Sequence, residues 1–388
     1  MRVAIVVPRY GPDVLGGAET QARGFAEEAA RREWAVEVWT TCARSHYTWE
    51  NIYPEGSEED QGLTIRRFPV TRRDVGRQAE LGIRLAHQGH LPLDDQYAWL
   101  ESNAHSAPLY EYVSRHAAEF DVVIALPYAT PLVHYAAWAA PECVVVWPCL
   151  HDEPYAYMEP TRLLLESAWG VMFLSPEERD LAVRRLGLLP RHLGVVGGGV
   201  VLTSPKVGLP RLEKPPGDLL YVGRLEGGKN LSLLYGYVQR YTDGGGNVRL
   251  VVLGQGPLEP PHHPAFEYRG FVSEAEKMLA CASALALCQP SLNESFSLTV
   301  MESWLAARPV LVHGDCAVTR GHVRRSKGGL WFRTYDEFAG AIEWFQANSA
   351  LAARMGENGR RYVSVNYSWD TVVTRFERLI RYWRGENG

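Results

Sequence analysis

Leu219-Leu220-Tyr221-Val222-Gly223-Arg224-Leu225-Glu226-Gly227-Gly228-Lys229-Asn230 runs from an apolar stretch into a turn holding three glycines and two cations. An apolar run that short, stopped by glycine, predicts a strand over Asp218–Val222, buried on both faces of a parallel sheet. In an open sheet of this kind the groups just past the strand's carboxyl end face the ligand crevice. Arg224 offers a planar fork for phosphate oxygens there and Lys229 a point charge, while Gly227 and Gly228 let backbone approach closely. Two cations suit a diphosphate. Taken alone, the same stretch reads equally well as a solvated turn with ordinary surface cations.

The pattern on either side is that of an α/β chain. Downstream, a helix is expected from Asn230, strands at Asn247–Leu253 and Phe266–Tyr268, a helix at Ser273–Cys281, a strand at Ala284–Leu287, a helix at Ser297–Ala307 and a strand at Pro309–Val312. Upstream, Arg2–Pro8 reads as a first strand with Gly11, Gly16 and Gly17 in its turn, then a helix from Ala18 to about Arg32 and a strand at Val36–Thr40. Further strands are expected at Thr64–Phe68, Asp121–Ala125, Val144–Trp147, Val171–Leu174 and His192–Val196. Thr71–Asp95 mixes charges, Gly and Pro and reads as an insertion or mobile loop. Periodicity stops at Gly197-Gly198-Gly199 and through the Pro/Lys-rich Ser204–Gly217, which marks a domain boundary. Trp369–Trp383 reads as an amphipathic helix whose Val372, Val373, Phe376, Leu379 and Ile380 need a partner surface.

Composition agrees with this picture. At about 150 residues per domain, 388 residues imply two or three domains. The 40 basic and 45 acidic residues leave a net charge of −5, which gives no support to a nucleic-acid surface, so any anion site is local. No run approaches the roughly 18 apolar residues of a membrane span, and Met1 leads straight into a strand, so a cytoplasmic protein is expected. The six cysteines have no paired short spacing, and neither a zinc site nor a disulfide framework is suggested. They read as buried small hydrophobes.

A second chemical element is Asn293-Glu294-Ser295-Phe296-Ser297-Leu298-Thr299-Val300-Met301-Glu302. Ser295 or Ser297 can cap the helix that starts here, and its first-turn N–H groups point at an anion. With a helical rise of about 1.5 Å per residue, Glu302 lies on the order of 10 Å along the axis from Glu294, enough for a diphosphate between a sugar and a ribose. The plain reading makes Glu294 a favourable charge at a helix N-terminus and Glu302 a helix-surface residue.

Together these elements resemble the donor site of glycosyltransferase family 4, retaining enzymes of the GT-B fold: strand, Gly223, Arg224 and Lys229, followed by two glutamates, 294 and 302, with seven residues between them. Gly254-Gln255-Gly256-Pro257 and Tyr268-Arg269-Gly270-Phe271-Val272-Ser273 resemble the family's loops beside the nucleobase, with backbone near Val272 reading its edge. Gly16-Gly17 is similar to its amino-terminal loop by the sugar and phosphates. Tyr367-Ser368-Trp369 and the following helix resemble its crossover back to the first domain. His151, at the end of a buried strand, matches a histidine near the transferred sugar's 6-hydroxyl.

The resemblance implies two Rossmann-like doubly wound domains facing an interdomain cleft: an acceptor-binding domain at 1–200, a donor-binding domain at 201–366 and a crossing helix at 367–388. It implies transfer of a hexose, with retention, from a nucleotide diphosphate sugar, UDP-hexose being the commonest donor, to a saccharide or lipid-linked hydroxyl. His151, Arg224, Lys229 and Glu294 are the catalytic candidates. Gly16, Gly17, Gly223, Gly254, Val272, Ser295, Phe296, Ser297 and Glu302 are the binding candidates. The sequence holds no Asp-x-Asp triplet, and cations plus helix amides are expected to replace a metal and any other cofactor. Arg66, Arg67, Arg72, Arg73 and Arg77 cluster in sequence and read most simply as an exposed loop with intervening acids, the alternative being a contact with a phosphorylated lipid or the inner membrane face. His262 and His263 sit in a Pro-rich loop and read as structural.

Two other readings compete. A nucleotide-sugar epimerase of the same architecture would isomerise the donor without an acceptor, and a non-catalytic nucleotide-sugar-binding protein would bind it without turnover. A dinucleotide oxidoreductase is weaker, because neither Gly11…Gly16-Gly17 nor Gly254-Gln255-Gly256 completes Gly-x-Gly-x-x-Gly.

Overall fold

The computed structural model describes residues 1–14, 16–202 and 217–386, and these form two compact units, Met1–Gly199 with Trp369–Gly388, and Val200–Ser368. All but Gly217 of the Pro/Lys-rich boundary stretch Ser204–Gly217 lies outside the described residues.

In the second unit the short apolar runs become strands β9 (Leu219–Val222), β10 (Leu250–Leu253), β11 (Phe266–Gly270), β12 (Ala286–Gln289), β13 (Val310–His313) and β14 (Gly329–Phe332). All neighbours pair in parallel, in the order β11-β10-β9-β12-β13-β14. The order runs outward in one direction from β9 and in the other from β12. Right-handed crossovers then place the connecting helices on opposite faces, and the crevice opens at the carboxyl ends where the order reverses. Strand side chains such as Leu219, Tyr221, Leu250, Val252, Ala286 and Leu311 are buried, which is why their sequence is continuously apolar.

The first unit repeats the plan. Strands β1 (Arg2–Val6), β2 (Ala35–Thr41), β3 (Gly56–Asp60), β4 (Leu63–Phe68), β5 (Val122–Ala125), β6 (Val144–Val146), β7 (Gly170–Phe173) and β8 (Leu193–Val195) form one sheet ordered β3-β4-β2-β1-β5-β6-β7-β8. Only β3 runs antiparallel, against β4 at the edge. It is exposed along its whole length and carries the sequence GSEED, so no apolar period announces it.

The expectation of a loop over Thr71–Asp95 is wrong. A helix occupies Val75–Gln88, begun by the Asp74 side chain accepting from the Arg77 N–H and closed by left-handed Gly89. Its two buried residues, Leu81 and Leu85, pack with Leu91, Trp99, Leu100 and Met158 in a small satellite core. Two contacts one turn apart suffice because the partner surface is local, and so sparse a stripe resembles a loop in sequence.

The helix Trp369–Trp383 groups with the first unit and buries Trp369, Val372, Val373, Phe376 and Ile380. Phe376 meets Phe25 edge to face at 4.9 Å, and Arg32 bonds Asp370 at 2.6 Å. Glycines clear the way for its rings: a Cβ at Gly24 would come within 2.2 Å of the Trp369 ring, and one at Gly170 within 2.5 Å of Trp383. Phe376 is fully buried; Phe376→Ala is expected to destabilise the first unit by about 3–5 kcal/mol, seen as a lower midpoint in chemical denaturation. A midpoint equal to wild type would show the helix to be dispensable.

Candidate functional site

Lys229 and Glu294 come from the two loops that flank the reversal of strand order in the second unit, one after β9 and one after β12. The Lys229 ammonium donates to Glu294 Oε1 at 2.7 Å, with 9% of the Glu294 side chain exposed. A second bond ties the loops, Asn230 Nδ2 to the Pro290 carbonyl at 3.1 Å, with Asn230 itself left-handed. Below them Tyr221, fully buried, donates to the Arg224 carbonyl at 2.8 Å and props the first loop from the core. Arg224 lies more open, with 58% of its side chain exposed, and pairs within its own loop with Glu226 at 3.1 Å.

Gly223 and Gly254 lie side by side where β9 and β10 end. Gly223 N–H donates to the Leu253 carbonyl at 3.0 Å, and a Cβ at Gly254 would sit 1.8 Å from the Gly223 oxygen. Gly254 N–H in turn donates to the Gly270 carbonyl at 2.8 Å, which brings the loop leading to half-buried Val272 to the same end of the sheet. Gly254 has a φ of 138°, open only to glycine without strain. Gly254→Ala is therefore expected to cost the second unit about 1–3 kcal/mol. Unaltered melting would show that the loops tolerate separation.

The loop after β12 corrects the expected helical span. The helix starts only at Leu298 and ends at Leu305, because Ser297 adopts a left-handed φ of 69°. Glu294 lies in the loop before it, so the rise per residue does not set its distance from Glu302. Neither expected serine caps the helix through its side chain. Ser295 and Ser297 are buried, and among the described residues no N-cap side chain accepts from the first-turn amides. Phe296, expected to bind substrate, points into the core between His322 and Tyr367, with ring centroids 5.5 and 5.1 Å away, so only its backbone is left to meet a ligand. Gln289 organises the turn by accepting from Ser291 Oγ at 3.0 Å and donating to Thr299 Oγ1 at 3.2 Å. The sequence reading missed Gln289, since a polar residue ending an apolar strand was its only signal.

Glu302 sits within the helix Leu298–Leu305 and accepts from Lys277 Nζ at 2.8 Å. Burial pushes its carboxyl above the usual range and Lys277 pulls it back. Lys277 belongs to the helix Glu274–Ser283, opened by a Ser273–Glu276 capping box, and went unnoticed in sequence.

In the first unit, Gly16 precedes the helix Gly17–Arg31, and a Cβ there would fall 2.0 Å from Glu19 Oε2. Glu19 is buried and paired with buried Arg9, which also donates to the Arg44 carbonyl at 3.2 Å, so the turn after β1 is held by an internal ion pair. Gly17 has open space around it, and nothing in its surroundings demands glycine. His151 follows β6, one strand beyond the reversal between β1 and β5. Its Nδ1 lies 3.7 Å from Glu153 Oε1, and Glu153 accepts from Tyr128 OH at 2.6 Å. The turn carrying His151 rests on fully buried Glu178, whose oxygens accept from the Leu150 and Leu174 N–H groups at 2.5 Å each. Burial pushes the Glu178 carboxyl up to about 8 while these amides pull it down.

Four of the five clustered arginines are engaged within the first unit. Arg66 bonds Glu37, buried Arg67 bonds Glu58 and the Tyr10 carbonyl, Arg73 bonds the Tyr47 carbonyl, and Arg77 bonds Glu80 and Asp95. Glu37 on β2, Glu58 on exposed β3, Glu80 in the helix Val75–Gln88 and Asp95 in the helix Leu93–Ser102 supply the counter-charge for Arg66, Arg67 and Arg77. Four cysteines are buried and two half-buried, all as free thiols. Among the described residues no helix is long and apolar enough to cross a membrane, and no group of three or more His, Cys, Asp and Glu could hold a metal ion.

The fold is GT-B, two α/β units with parallel sheets, and residues 210–362 match the family model described as glycosyl transferases group 1. The matched residues lie within the second unit. Sucrose-phosphate synthase from Thermosynechococcus elongatus superimposes with a TM-score of 0.73 at 17% identity, covering 100% of both chains. Anabaena HepE, solved with UDP-glucose, gives 0.68 at 15% identity, covering 98% of this chain and 100% of that one. Glycosyltransferase 1 domain-containing protein 1 of Xenopus tropicalis is 26% identical over 112 residues, 28% of this chain and 31% of that protein. The match to that relative therefore spans under a third of its length.

Proposed function

We propose that the protein transfers a hexose, with retention and without a metal, from a nucleotide diphosphate sugar to a hydroxyl of a saccharide or lipid-linked acceptor. The observation that carries this reading is the meeting of Lys229 and Glu294 at the strand reversal of the unit that matches the group 1 family model, beside uncapped helix amides. UDP-hexose is the preferred donor, in keeping with the UDP-glucose that HepE holds. Free thiols and pI near 6.2 suit a cytoplasmic site of action.

The chemistry follows from charge. As the bond from the anomeric carbon to the phosphate oxygen breaks, negative charge grows on the departing diphosphate. Lys229, Arg224 and the amides at Ser297–Leu298 stabilise it most at that moment. The acceptor oxygen forms its new bond on the same face, and its proton passes to the departing phosphate oxygen. Glu294 holds donor hydroxyls and Glu302 the ribose. The bound diphosphate competes with Glu294 for Lys229, so the pair exchanges partners on binding. Backbone near Val272 and Gly254 reads the nucleobase, Gly16 and Gly17 border the phosphates, and His151 acts at the transferred sugar.

The test is a panel of UDP-, GDP- and ADP-hexoses with sugar acceptors, read by mass spectrometry. Lys229→Ala and Glu294→Ala are expected to lower turnover per folded molecule by about 10²–10³-fold, with some loss of melting temperature from the unpaired partner, and a chelator should leave wild-type turnover unchanged. Equal turnover in both variants would remove the assignment. An isomerised donor in the absence of acceptor would make the protein an epimerase, and binding without acceptor-dependent nucleotide release would make it a binding protein. His151→Ala is expected to lower kcat while sparing UDP affinity, and loss of both in proportion would relocate His151 to a structural role.

A further inference from the structure

We infer that Lys277 is a positioning residue for the donor's ribose, fixing the Glu302 carboxylate through its Oε1 and turning Oε2 toward the ligand. The inference rests on the donor-site reading above and names a group that the two-glutamate pattern does not contain. Three observations carry it. Lys277 Nζ donates to Glu302 Oε1 at 2.8 Å, across from one helix to the next. The same ammonium reaches Glu274, 2.8 Å from Oε2, so it is held from two sides and its own side chain is only 14% exposed. No bond to Glu302 Oε2 is found among the described residues, while 24% of the side chain remains open.

A carboxylate needs its charge to accept two hydroxyl bonds from a ribose, and burial works against that charge. Among the described residues, the charged groups acting on Glu302 are Lys277 and Glu274, both on the helix Glu274–Ser283. Glu274 opposes ionisation and Lys277 favours it. Cys281, on the same helix, stays a neutral thiol because burial pushes it up to about 12. The helix Ser349–Asn366, which also packs against the helix Leu298–Leu305, adds among the described residues no charge that acts on Glu302. Burial pulls the Lys277 ammonium down, but Glu302 and Glu274 together outweigh it and hold it above its ordinary range, so it remains a cation through the pH range of the test. Lys277 is therefore the cation that keeps Glu302 ready. A lysine here also explains why the helix after Ser273 carries Glu274 at its start: the exposed acid steadies the ammonium from the solvent side.

The test measures the affinity of the intact chain for UDP, GDP and ADP by calorimetry from pH 6 to 9, in wild type, Lys277→Met, Lys277→Arg and Glu302→Ala, each checked for folding by melting. Without Lys277 the Glu302 carboxyl titrates higher. Lys277→Met is expected to weaken the best-bound nucleotide about tenfold at pH 6, with the deficit shrinking toward pH 9, whereas Lys277→Arg stays close to wild type. Glu302→Ala should lose affinity evenly across the range. Wild-type affinity in Lys277→Met, or a deficit that does not change with pH, would overturn the role of Lys277 while leaving Glu302 in place. Unchanged affinity in Glu302→Ala, or no nucleoside diphosphate bound by wild type, would instead overturn the donor site itself, and this inference with it.

Discussion

Lys229 and Glu294 are 65 residues apart in the chain and 2.7 Å apart in space, and the cause is a single topological fact. A parallel sheet built outward in both directions from its middle must leave a gap where the two connections depart to opposite faces. The loops after β9 and β12 border that gap and have no helix between them. Each brings charge that would be costly to bury alone, and together they bury it at modest cost because the cation and the carboxylate satisfy each other. The rest of the site is arranged to keep these two loops still. Tyr221 props one from beneath, Gln289 knits the other, and Phe296 anchors it in the core.

The first unit solves the equivalent problem with different residues. Its turn after β1 is held by the buried Arg9–Glu19 pair, and its turn after β6 by Glu178, a carboxylate with backbone amides for partners. In each case a buried acid spans a turn and replaces hydrogen bonds that irregular backbone would otherwise lack. These acids are conspicuous in the structure, while in sequence Glu178 stands out from Glu177 only as the third residue after the N-cap Ser175, a spacing that marks a helix start and not a buried support.

What could be read in advance follows from the same physics. Parallel strands buried on both faces are short apolar runs, so β1, β2, β5, β9, β10 and β12 were visible to within a few residues. The helix Trp369–Trp383 was read to the residue because its whole apolar face is covered. Edge strand β3 was invisible because solvent covers its side chains and only its backbone is committed. The helix Val75–Gln88 was misread because two leucines anchor it. Beyond Val312, β14 and the helices Ala317–Ser326, Tyr335–Ala347 and Ser349–Asn366 went unread. Of the candidate site, the residue types stood out but not their partners: that Lys229 meets Glu294, that Glu302 meets Lys277, and that Phe296 turns inward depend on loop conformations set by Ser297 and Asn230, neither of which advertises a left-handed backbone.

The two strands of chain that enter and leave the second unit run together: Val200 pairs in parallel with Ser368, and its N–H meets the Tyr367 carbonyl at 2.8 Å. The second unit is therefore an insertion whose ends touch, and the first unit is split around it, with Trp369 and the helix behind it emerging from the ribosome only after the inserted portion has been made. During synthesis the surface destined for that helix, including Gly24, Phe25 and Gly199, stays wet until the helix arrives, so the inserted unit has the earlier opportunity to fold. The adjacency of the ends also means that excising the insertion, by splicing residue 199 to residue 369, would ask the backbone to bridge little more than the spacing of two neighbouring strands.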